Sequence, residues 1–216
     1  MQMSSAAHTH IPISPSILYF GTPVALLTTT NPDGTANLAP NSSAWALGQT
    51  LVLGLGRSGH TAANLADRPE LVVNLPSPAL WAAVERLAPL TGADPVPDAK
   101  ADVYRTEQDK FGAAGLTPAP SELVTPPRVA ECPLQLEATV RHMSPAGPAD
   151  DFWIVECAVV RVHAAASVVV PGTQHVDPSA WSPLIYNFRH YFGLGGPELG
   201  HGFRSQTAGT ATQARR

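Results

Sequence analysis

The chain lacks the features that mark membrane, secreted and nucleic-acid-binding proteins. Its longest apolar-rich stretch, residues 159–170, is broken by Arg161 and His163 and is too short to span a bilayer. A formal net charge of −4 without a basic cluster argues against nucleic acid as a primary partner. The first ten residues lack the apolar core of a signal peptide, and the two cysteines, Cys132 and Cys157, favour reduced thiols. We therefore expect a cytoplasmic protein with no membrane and no nucleic-acid partner.

The usual motifs of hydrolytic and metal catalysis are also missing. The sequence contains neither G-x-S-x-G nor H-E-x-x-H. His8 and His10 lie in a polar terminal segment, and His142 and His163 fall in predicted strands where no further ligands are evident. The sequence therefore predicts no metal site, and it identifies no catalytic acid, base or nucleophile.

Length and hydrophobic content are sufficient for a single folded domain. With 216 residues, 44% of them hydrophobic, the chain can bury a substantial core. We expect one domain at residues 14–199, with flexible tails at 1–13 and 200–216. Seven of the 22 prolines lie in two stretches between periodic segments, at residues 89–97 and 117–127, which predicts long ordered loops.

Hydrophobic periodicity and turn composition predict a chain made mostly of strands. In the first half, the predicted elements are a half-buried strand at 23–30, a Pro/Asp/Gly turn at 31–34, a returning strand at 35–43, a strand at 51–55, an amphipathic helix at 61–67 and a strand at 71–75. Further along, they are a helix at 78–87 with Trp81 and Val84 on its buried face, a helix at 101–111, long strands at 131–143 and 152–163, a short strand at 168–170 and a turn or short helix at 177–181.

The end of the 51–55 strand is the strongest candidate binding element. A helix that opens there leaves backbone N–H groups unpaired at the positive end of its dipole, and such an end binds phosphate readily. Ser58 and Thr61 add hydroxyl donors, Arg57 and His60 can add positive charge, and Asn64 shares a helix face with Thr61. The alternative is that Ser58 or Thr61 only caps a short helix.

The same residues match a dinucleotide fingerprint. Gly54-Leu-Gly56-Arg-Ser-Gly59 has the form G-x-G-x-x-G between a strand and a helix. A Rossmann unit also needs strand–helix alternation and an acidic residue at the end of the next strand. Here a hairpin lies upstream and the next strand ends in Asn74-Leu75-Pro76, so the sequence argues against that fold.

A family resemblance rests on the order and spacing of several blocks. The blocks are Thr22-Pro-Val-Ala-Leu-Leu-Thr-Thr-Thr30, residues 33–43 (DGTANLAPNSS), His60-Thr-Ala-Ala-Asn64-Leu65, Leu71-Val-Val-Asn74-Leu-Pro76, residues 111–118 (FGAAGLTP), residues 126–137 (PPRVAECPLQLE) and residues 183–191 (PLIYNFRHY). Over about residues 14–195 the chain resembles the flavin reductase-like, FMN-binding split β-barrel family, in its flavoredoxin-like branch. The resemblance implies a mainly β fold with some α structure: an antiparallel Greek-key split barrel with short peripheral helices.

The resemblance also implies a cofactor site. FMN should bind at the interface of a homodimer, with Asn41, Ser42 and Ser43 facing the isoalloxazine ring and backbone groups near Ala44 fixing its polar edge. The phosphate and ribityl chain should be held by four further residues, Ser58, His60, Thr61 and Asn64.

Two departures from the family pattern affect this site. Many relatives have Lys-Asp-Thr where this chain has Gly59-His60-Thr61, so a fixed positive charge is replaced by a titrating one. Relatives also often have a Pro-Pro pair before the 51–55 strand, where this chain has Gly48-Gln49-Thr50. Trp45, just after the ring-facing cluster, could lie in the core or border the flavin.

In function, the resemblance implies hydride transfer from NADH or NADPH to flavin N5, a reaction in which the cofactor carries the chemistry. A partner oxygenase could receive the reduced flavin. The alternatives are an FMN-binding electron carrier without a nicotinamide site, and more distantly a split barrel that uses another cofactor or none. Arg189, His190 and Tyr191 form a cationic and aromatic cluster that either packs against the core or a dimer partner, or contacts flavin or nicotinamide.

Overall fold

The computed structural model describes residues 10–195. Most of the predicted N-terminal tail and all of the predicted C-terminal tail lie outside the described residues. Within 10–195, no helix is long and apolar enough to cross a membrane. The cytoplasmic location stays a prediction.

Fourteen strands and three α-helices make up the described chain, with 3₁₀ turns at Pro78–Leu80, Asp98–Lys100 and Ala166–Val168. The strands are β1 (Phe20–Pro23), β2 (Ala25–Thr30), β3 (Ala36–Asn41), β4 (Ala44–Leu47), β5 (Thr50–Gly56), β6 (Glu70–Leu75), β7 (Leu90–Thr91), β8 (Arg105–Thr106), β9 (Pro118–Ala119), β10 (Arg128–Val129), β11 (Leu134–Ala146), β12 (Phe152–Ala164), β13 (Ile185–Asn187) and β14 (His190–Phe192). The helices are α1 (His60–Asp67), α2 (Trp81–Leu87) and α3 (Lys110–Ala114).

Seven of the strands form one antiparallel sheet in the order β3-β2-β6-β11-β12-β5-β4. The two edge strands, β3 and β4, follow each other in the chain with only Ser42 and Ser43 between them, so the sheet curls until its edges meet. At this seam the Asn41 side-chain amide donates to the Gly54 carbonyl at 2.9 Å, and the Gly54 N–H donates to the Ser43 carbonyl at 2.8 Å. The mainly β, split-barrel fold with short peripheral helices is confirmed.

Two apolar cores lie on the two faces of this sheet. Successive side chains of a strand point to opposite faces, and β2 supplies both cores: Leu27 enters the barrel interior, and Leu26 packs under α2 and α3. The interior core also contains Leu53 and Val155. All six residues of β2 are buried, so the expected half-buried strand is instead a fully covered one.

The predicted helix at 101–111 is wrong. Its middle pairs as strand β8 beside β7, with Arg105 N–H donating to the Pro89 carbonyl at 3.0 Å and Glu107 N–H to the Thr91 carbonyl at 2.9 Å. Tertiary pairing has overridden local helix propensity. A helix begins only at Lys110, capped by the Asp109 carboxylate, which accepts from the Gly112 N–H at 2.8 Å.

Two other expectations also need correction. Trp81 does not lie on the buried face of its helix: its side chain is 52% exposed, and Ala83, Val84 and Leu87 form that face. The expected strand at 168–170 is a 3₁₀ turn followed by a single bridge between Val169 and Val176.

The C-terminal hairpin β13–β14 was not anticipated as secondary structure. It adds to β1 to make a separate three-stranded sheet in the order β1-β13-β14. This sheet brings the cationic and aromatic residues near position 190 next to α2, where the Tyr191 hydroxyl donates to the Glu85 carboxylate at 2.9 Å.

Candidate functional site

A cavity of about 460 Å³ lies at the barrel seam, against the first turn of α1. Its lining comes from the ends of β3 and β5, the start of α1, and side chains of α2, α3 and the C-terminal sheet. The lining residues are Tyr19, Val24, Ala39, Pro40, Asn41, Ser42, Gly54, Leu55, Gly56, Gly59, His60, Thr61, Ala62, Val84, Ala88, Leu90, Thr91, Lys100, Tyr104, Lys110, Tyr186 and Tyr191.

The seam residues divide into two that line the cavity and two that support it. Asn41 and Ser42 belong to the lining. The Asn41 amide is held from both ends, because its nitrogen donates to the Gly54 carbonyl and its oxygen accepts from the Ser43 N–H at 2.9 Å. Ser43 and Ala44 lie outside the lining: the Ser43 hydroxyl is paired with the Tyr19 hydroxyl at 3.1 Å, and Ala44 starts β4.

At the start of α1, the chain offers the cavity backbone groups and two side chains. Gly59 is the N-cap residue, and no side chain caps the helix, so the alternative in which Ser58 or Thr61 serves as the cap does not hold. His60 and Thr61 line the cavity, whereas Ser58 is exposed and outside the lining. Because the capping position carries no side-chain acceptor, the first N–H groups of α1 have no competitor there for an anion.

Asn64 lies behind the cavity rather than in it. It is 1% exposed, its amide nitrogen donates to Thr29 Oγ1 at 3.1 Å and to Asn31 Oδ1 at 3.0 Å, and its oxygen accepts from Arg68 at 3.2 Å. With its amide engaged on both sides, Asn64 fixes α1 against β2, and its contribution to a ligand is indirect.

His60 is held in place, and its surroundings favour the neutral imidazole. Its Nε2 lies 2.8 Å from Asn31 Oδ1, and burial lowers the pKa of the imidazole, with the charges of Lys110 and Arg68 acting in the same direction. The ring also packs on Gly92, where an added Cβ would come within 2.5 Å of the imidazole. His60 is therefore a poor source of the expected positive charge.

Arg57 does not supply the expected positive charge to the cavity either. Its side chain is half exposed, with the guanidinium 5.0 Å from the Trp153 ring centroid and 3.8 Å from the Asp150 carboxylate. It is outside the cavity lining.

Lys110 is the cation that sequence reasoning missed. It is 3% exposed, its Nζ donates to Asn37 Oδ1 at 2.9 Å, and it faces the same cavity as His60 and Thr61. Burial lowers its pKa to about 8, with the Glu107 carboxylate acting in the opposite direction. An ammonium group has three donors, and only the bond to Asn37 is recorded among the described residues, so Lys110 can also donate to an anionic ligand.

Asn37 connects this lysine to α1. Its oxygen accepts from Lys110, while its nitrogen donates to Thr29 Oγ1 at 3.1 Å and to Thr61 Oγ1 at 3.2 Å. Since the Thr61 hydroxyl accepts this bond, its own proton stays available to a ligand. The only available sequence signal was that Lys110 directly precedes the 111–118 block.

The opposite wall of the cavity is aromatic. The rings of Tyr19, Tyr186 and Tyr191 follow one another with centroid separations of 5.4 and 5.3 Å. At the mouth, Lys100 Nζ donates to the Ser58 carbonyl at 3.3 Å. The cavity thus joins an anion-binding end to an aromatic wall and a polar seam, which suits a flat ring system that carries a phosphate group.

Comparison with known proteins identifies the family. The model of the flavin reductase like domain matches residues 17–195. The chain belongs to the flavin reductase-like family. The resemblance inferred from the sequence blocks is therefore confirmed, and flavin oxidoreduction is the class of activity that membership supports.

Three similar proteins illustrate the range of this family. The uncharacterized protein YdfE of Bacillus subtilis (strain 168) is 47% identical over 196 residues, covering 90% of this chain and 94% of YdfE. Flavoredoxin of Desulfovibrio vulgaris (Miyazaki F) superposes with a TM-score of 0.71 at 21% identity over 95% of this chain and 100% of that one. Nitrilotriacetate monooxygenase component B from Bacillus cereus gives 0.70 at 21% identity, covering 89% and 99%. The two structural neighbours support the fold.

The residues of the cavity fit a flavin with a phosphate. A buried ammonium with donors to spare, the uncapped first turn of α1 and the Thr61 hydroxyl lie at one end, and Asn41 and Ser42 lie at the seam. Among the described residues, no group of three or more His, Cys, Asp or Glu side chains could hold a metal ion.

Proposed function

We propose that the protein is an FMN-dependent oxidoreductase that accepts hydride from NADH or NADPH. The observation that carries the proposal is the buried Lys110 ammonium, which lines the same cavity as the first turn of α1 and is linked to Thr61 through the Asn37 amide. Burying a cation that has one hydrogen-bond partner among the described residues costs free energy unless an anion also binds it. The FMN phosphate is that anion.

The other residues have defined parts in this proposal. Thr61 donates a hydrogen bond from its hydroxyl to the phosphate, and His60 adds a polar contact beside it. Asn41 and Ser42 face the isoalloxazine ring, with Ser43 and Ala44 fixing the seam behind them. Ser58 lies outside the lining, and its carbonyl accepts a hydrogen bond from Lys100. Asn64 holds α1 in position.

Bound FMN supplies the hydride-accepting chemistry, and the protein supplies binding and orientation. The aromatic wall of Tyr19, Tyr186 and Tyr191 offers apolar surface to the flavin. This division of labour agrees with the lack of a recognisable acid–base pair or nucleophile in the sequence.

Anaerobic stopped-flow mixing tests the reaction directly. Protein loaded with FMN should lose the absorbance of oxidised flavin on mixing with NADH or NADPH, at about 1 s⁻¹ or faster for at least one nucleotide. Free FMN at the same concentration is the control. Indifference to both nucleotides, with full bleaching by a chemical reductant, would contradict the enzyme and support an electron carrier without a nicotinamide site.

Lys110→Met should weaken FMN binding selectively. The variant loses a charge-assisted hydrogen bond worth about 1.5–3 kcal/mol, so FMN affinity should fall by roughly 10- to 100-fold. Riboflavin lacks the phosphate and should bind both proteins nearly equally.

The pH dependence of FMN affinity should differ between wild type and Lys110→Met as well. Lys110 loses its proton as pH rises through about 8, so wild-type affinity for FMN should decline at and above that pH, whereas the variant should show no such decline. Fluorescence titration with both ligands between pH 6.5 and 9 measures all of this.

Two further variants control the Lys110 titration. Arg141→Gln removes a positive charge from an exposed position of β11 and should leave both affinities unchanged. Thr61→Ala should show the same preference as Lys110→Met, weakening FMN but not riboflavin. Equal weakening of both ligands by Lys110→Met, or of neither, would remove the phosphate assignment.

The proposed homodimer has a matching surface on the sheet. Strand register places Trp45, Leu47, Val52, Phe152 and Ile154 on the outer face of β4, β5 and β12. Trp45 and Leu47 are 58% and 76% exposed, and Phe152 and Ile154 are also exposed. Trp45 is therefore not a core residue. An apolar face of this kind beside the seam fits a partner subunit that covers the flavin.

Ile154→Asp should convert the dimer to a monomer and weaken FMN binding. A carboxylate in the middle of an apolar interface is left without a partner, which costs several kcal/mol. Light scattering measures the mass of wild type, Ile154→Asp and the conservative Ile154→Val with saturating FMN. A wild-type monomer under these conditions, or a dimer that Ile154→Asp leaves intact, would show that this face is not the interface.

A partner oxygenase is proposed as the acceptor of the reduced flavin. The name of one structural neighbour, a monooxygenase component B, supports this. Anaerobic ultrafiltration after reduction tests it, because a protein that serves a separate oxygenase releases reduced flavin into the filtrate, and retention of all the flavin would argue against it.

A further inference from the structure

A second cavity, of about 540 Å³, adjoins the first. Tyr191 lines both of them. The lining of the second cavity also includes Trp81 and Glu85 of α2 and Arg189, His190 and Phe192 of the C-terminal hairpin. The proposed FMN site uses none of these five residues.

The walls of this cavity offer exposed aromatic surface. Trp81 and Phe192 are each 52% exposed, and the Trp81 ring lies 6.5 Å from the Tyr191 ring, centroid to centroid. Indole and phenyl groups that stay exposed inside a concave site are suited to stack on a planar ligand. The sequence pattern predicted that Trp81 would be buried, so its exposure is not a consequence of helix amphipathicity.

Arg189 is the charged group of this cavity that can bind an anion. Arg189 is exposed, and its recorded hydrogen bond is a long one, 3.4 Å to Ser16 Oγ. His190 Nδ1 donates to the Phe188 carbonyl at 3.0 Å, so the other ring nitrogen, Nε2, takes no part in that bond. Glu85 is the carboxylate of this lining, and it already accepts from the Tyr191 hydroxyl. Arg189 therefore remains available to bind a phosphate.

The hairpin holds these side chains in a strained turn. Phe188 and Arg189 are the two residues between β13 and β14, with φ values of 43° and 71°. Two-residue hairpin turns with positive φ at both residues favour Asn-Gly, because bulky residues at positive φ are strained. The turn could form more easily with other residues, and strain retained in this way is a sign of a functional role.

We infer that the second cavity binds the adenosine-phosphate half of the nicotinamide nucleotide, with the adenine against Trp81 and Phe192 and a phosphate at Arg189. The inference rests on the proposed function, since it presupposes a dinucleotide whose nicotinamide reaches the flavin. The shared wall at Tyr191 provides the continuity that such a ligand needs, because its two halves occupy neighbouring cavities.

Substitutions at Arg189 test the phosphate contact. Arg189→Gln should raise the KM for the preferred nucleotide about tenfold or more, with kcat and FMN affinity unchanged, as expected for a group that binds ground state and transition state alike. Arg189→Lys should recover part of the lost nucleotide affinity, and Arg141→Gln should have no effect.

Arg189→Gly tests the strain of the turn separately from the phosphate contact. Glycine relieves the strain, so the thermal midpoint of this variant should rise, while its KM should rise as in Arg189→Gln. A merely structural residue would not separate these two effects.

A binding experiment tests the site without depending on catalysis. ADP should quench the tryptophan fluorescence of the FMN-loaded protein saturably, and Trp81→Leu and Arg189→Gln should each remove most of that quenching. Absence of quenching in wild type, or quenching that survives both substitutions, overturns the inference even if nicotinamide nucleotides reduce the flavin. A change of oligomeric state in Arg189→Gln also overturns it, because the cavity would then be a subunit contact. If ADP binds as described but no nucleotide reduces the flavin, the proposed function fails and the nucleotide site stands.

Discussion

The burial of the Lys110 ammonium is the constraint on which the site depends. Burial of a charged group costs free energy unless polar partners compensate it. Here Asn37 provides one acceptor, and the same amide donates to Thr29 and Thr61, so the lysine, two strands and α1 belong to one hydrogen-bonded unit. The cavity keeps its shape because moving any member would leave a buried polar group without a partner.

The seam of the barrel uses polar contacts in the same way. Apolar packing holds the two cores together, but the edges of the sheet meet through the Asn41 amide and the carbonyl and amide of Gly54. Gly54 is suited to this position, since an added Cβ would approach the Ser43 Cβ to 3.0 Å. The cavity therefore lies where the barrel closes, between two polar clusters that already serve the fold. A ligand there can reach backbone groups without disturbing either core.

The parts of the structure that local sequence determines were predictable. The hairpin of β2 and β3, the start of α1 and the long strands β11 and β12 follow from turn residues and alternating hydrophobicity. Residues that take their role from distant contacts were not. Lys110 follows a segment that pairs with Leu90–Thr91 instead of forming a helix, and Trp81 is exposed because the neighbouring hairpin β13–β14 builds a cavity beside it. His60 occupies the expected position, but its burial, together with the charges of Lys110 and Arg68, lowers its pKa and disfavours the positive charge that its residue type allows.

A crystal structure of the FMN complex would show directly which groups hold the phosphate. We expect a phosphate oxygen within about 3.2 Å of Lys110 Nζ, near the first turn of α1 and the Thr61 hydroxyl, with the isoalloxazine ring against Asn41 and Ser42. A phosphate that points to solvent with Lys110 still bonded only to Asn37, or a flavin bound outside this cavity, would contradict it.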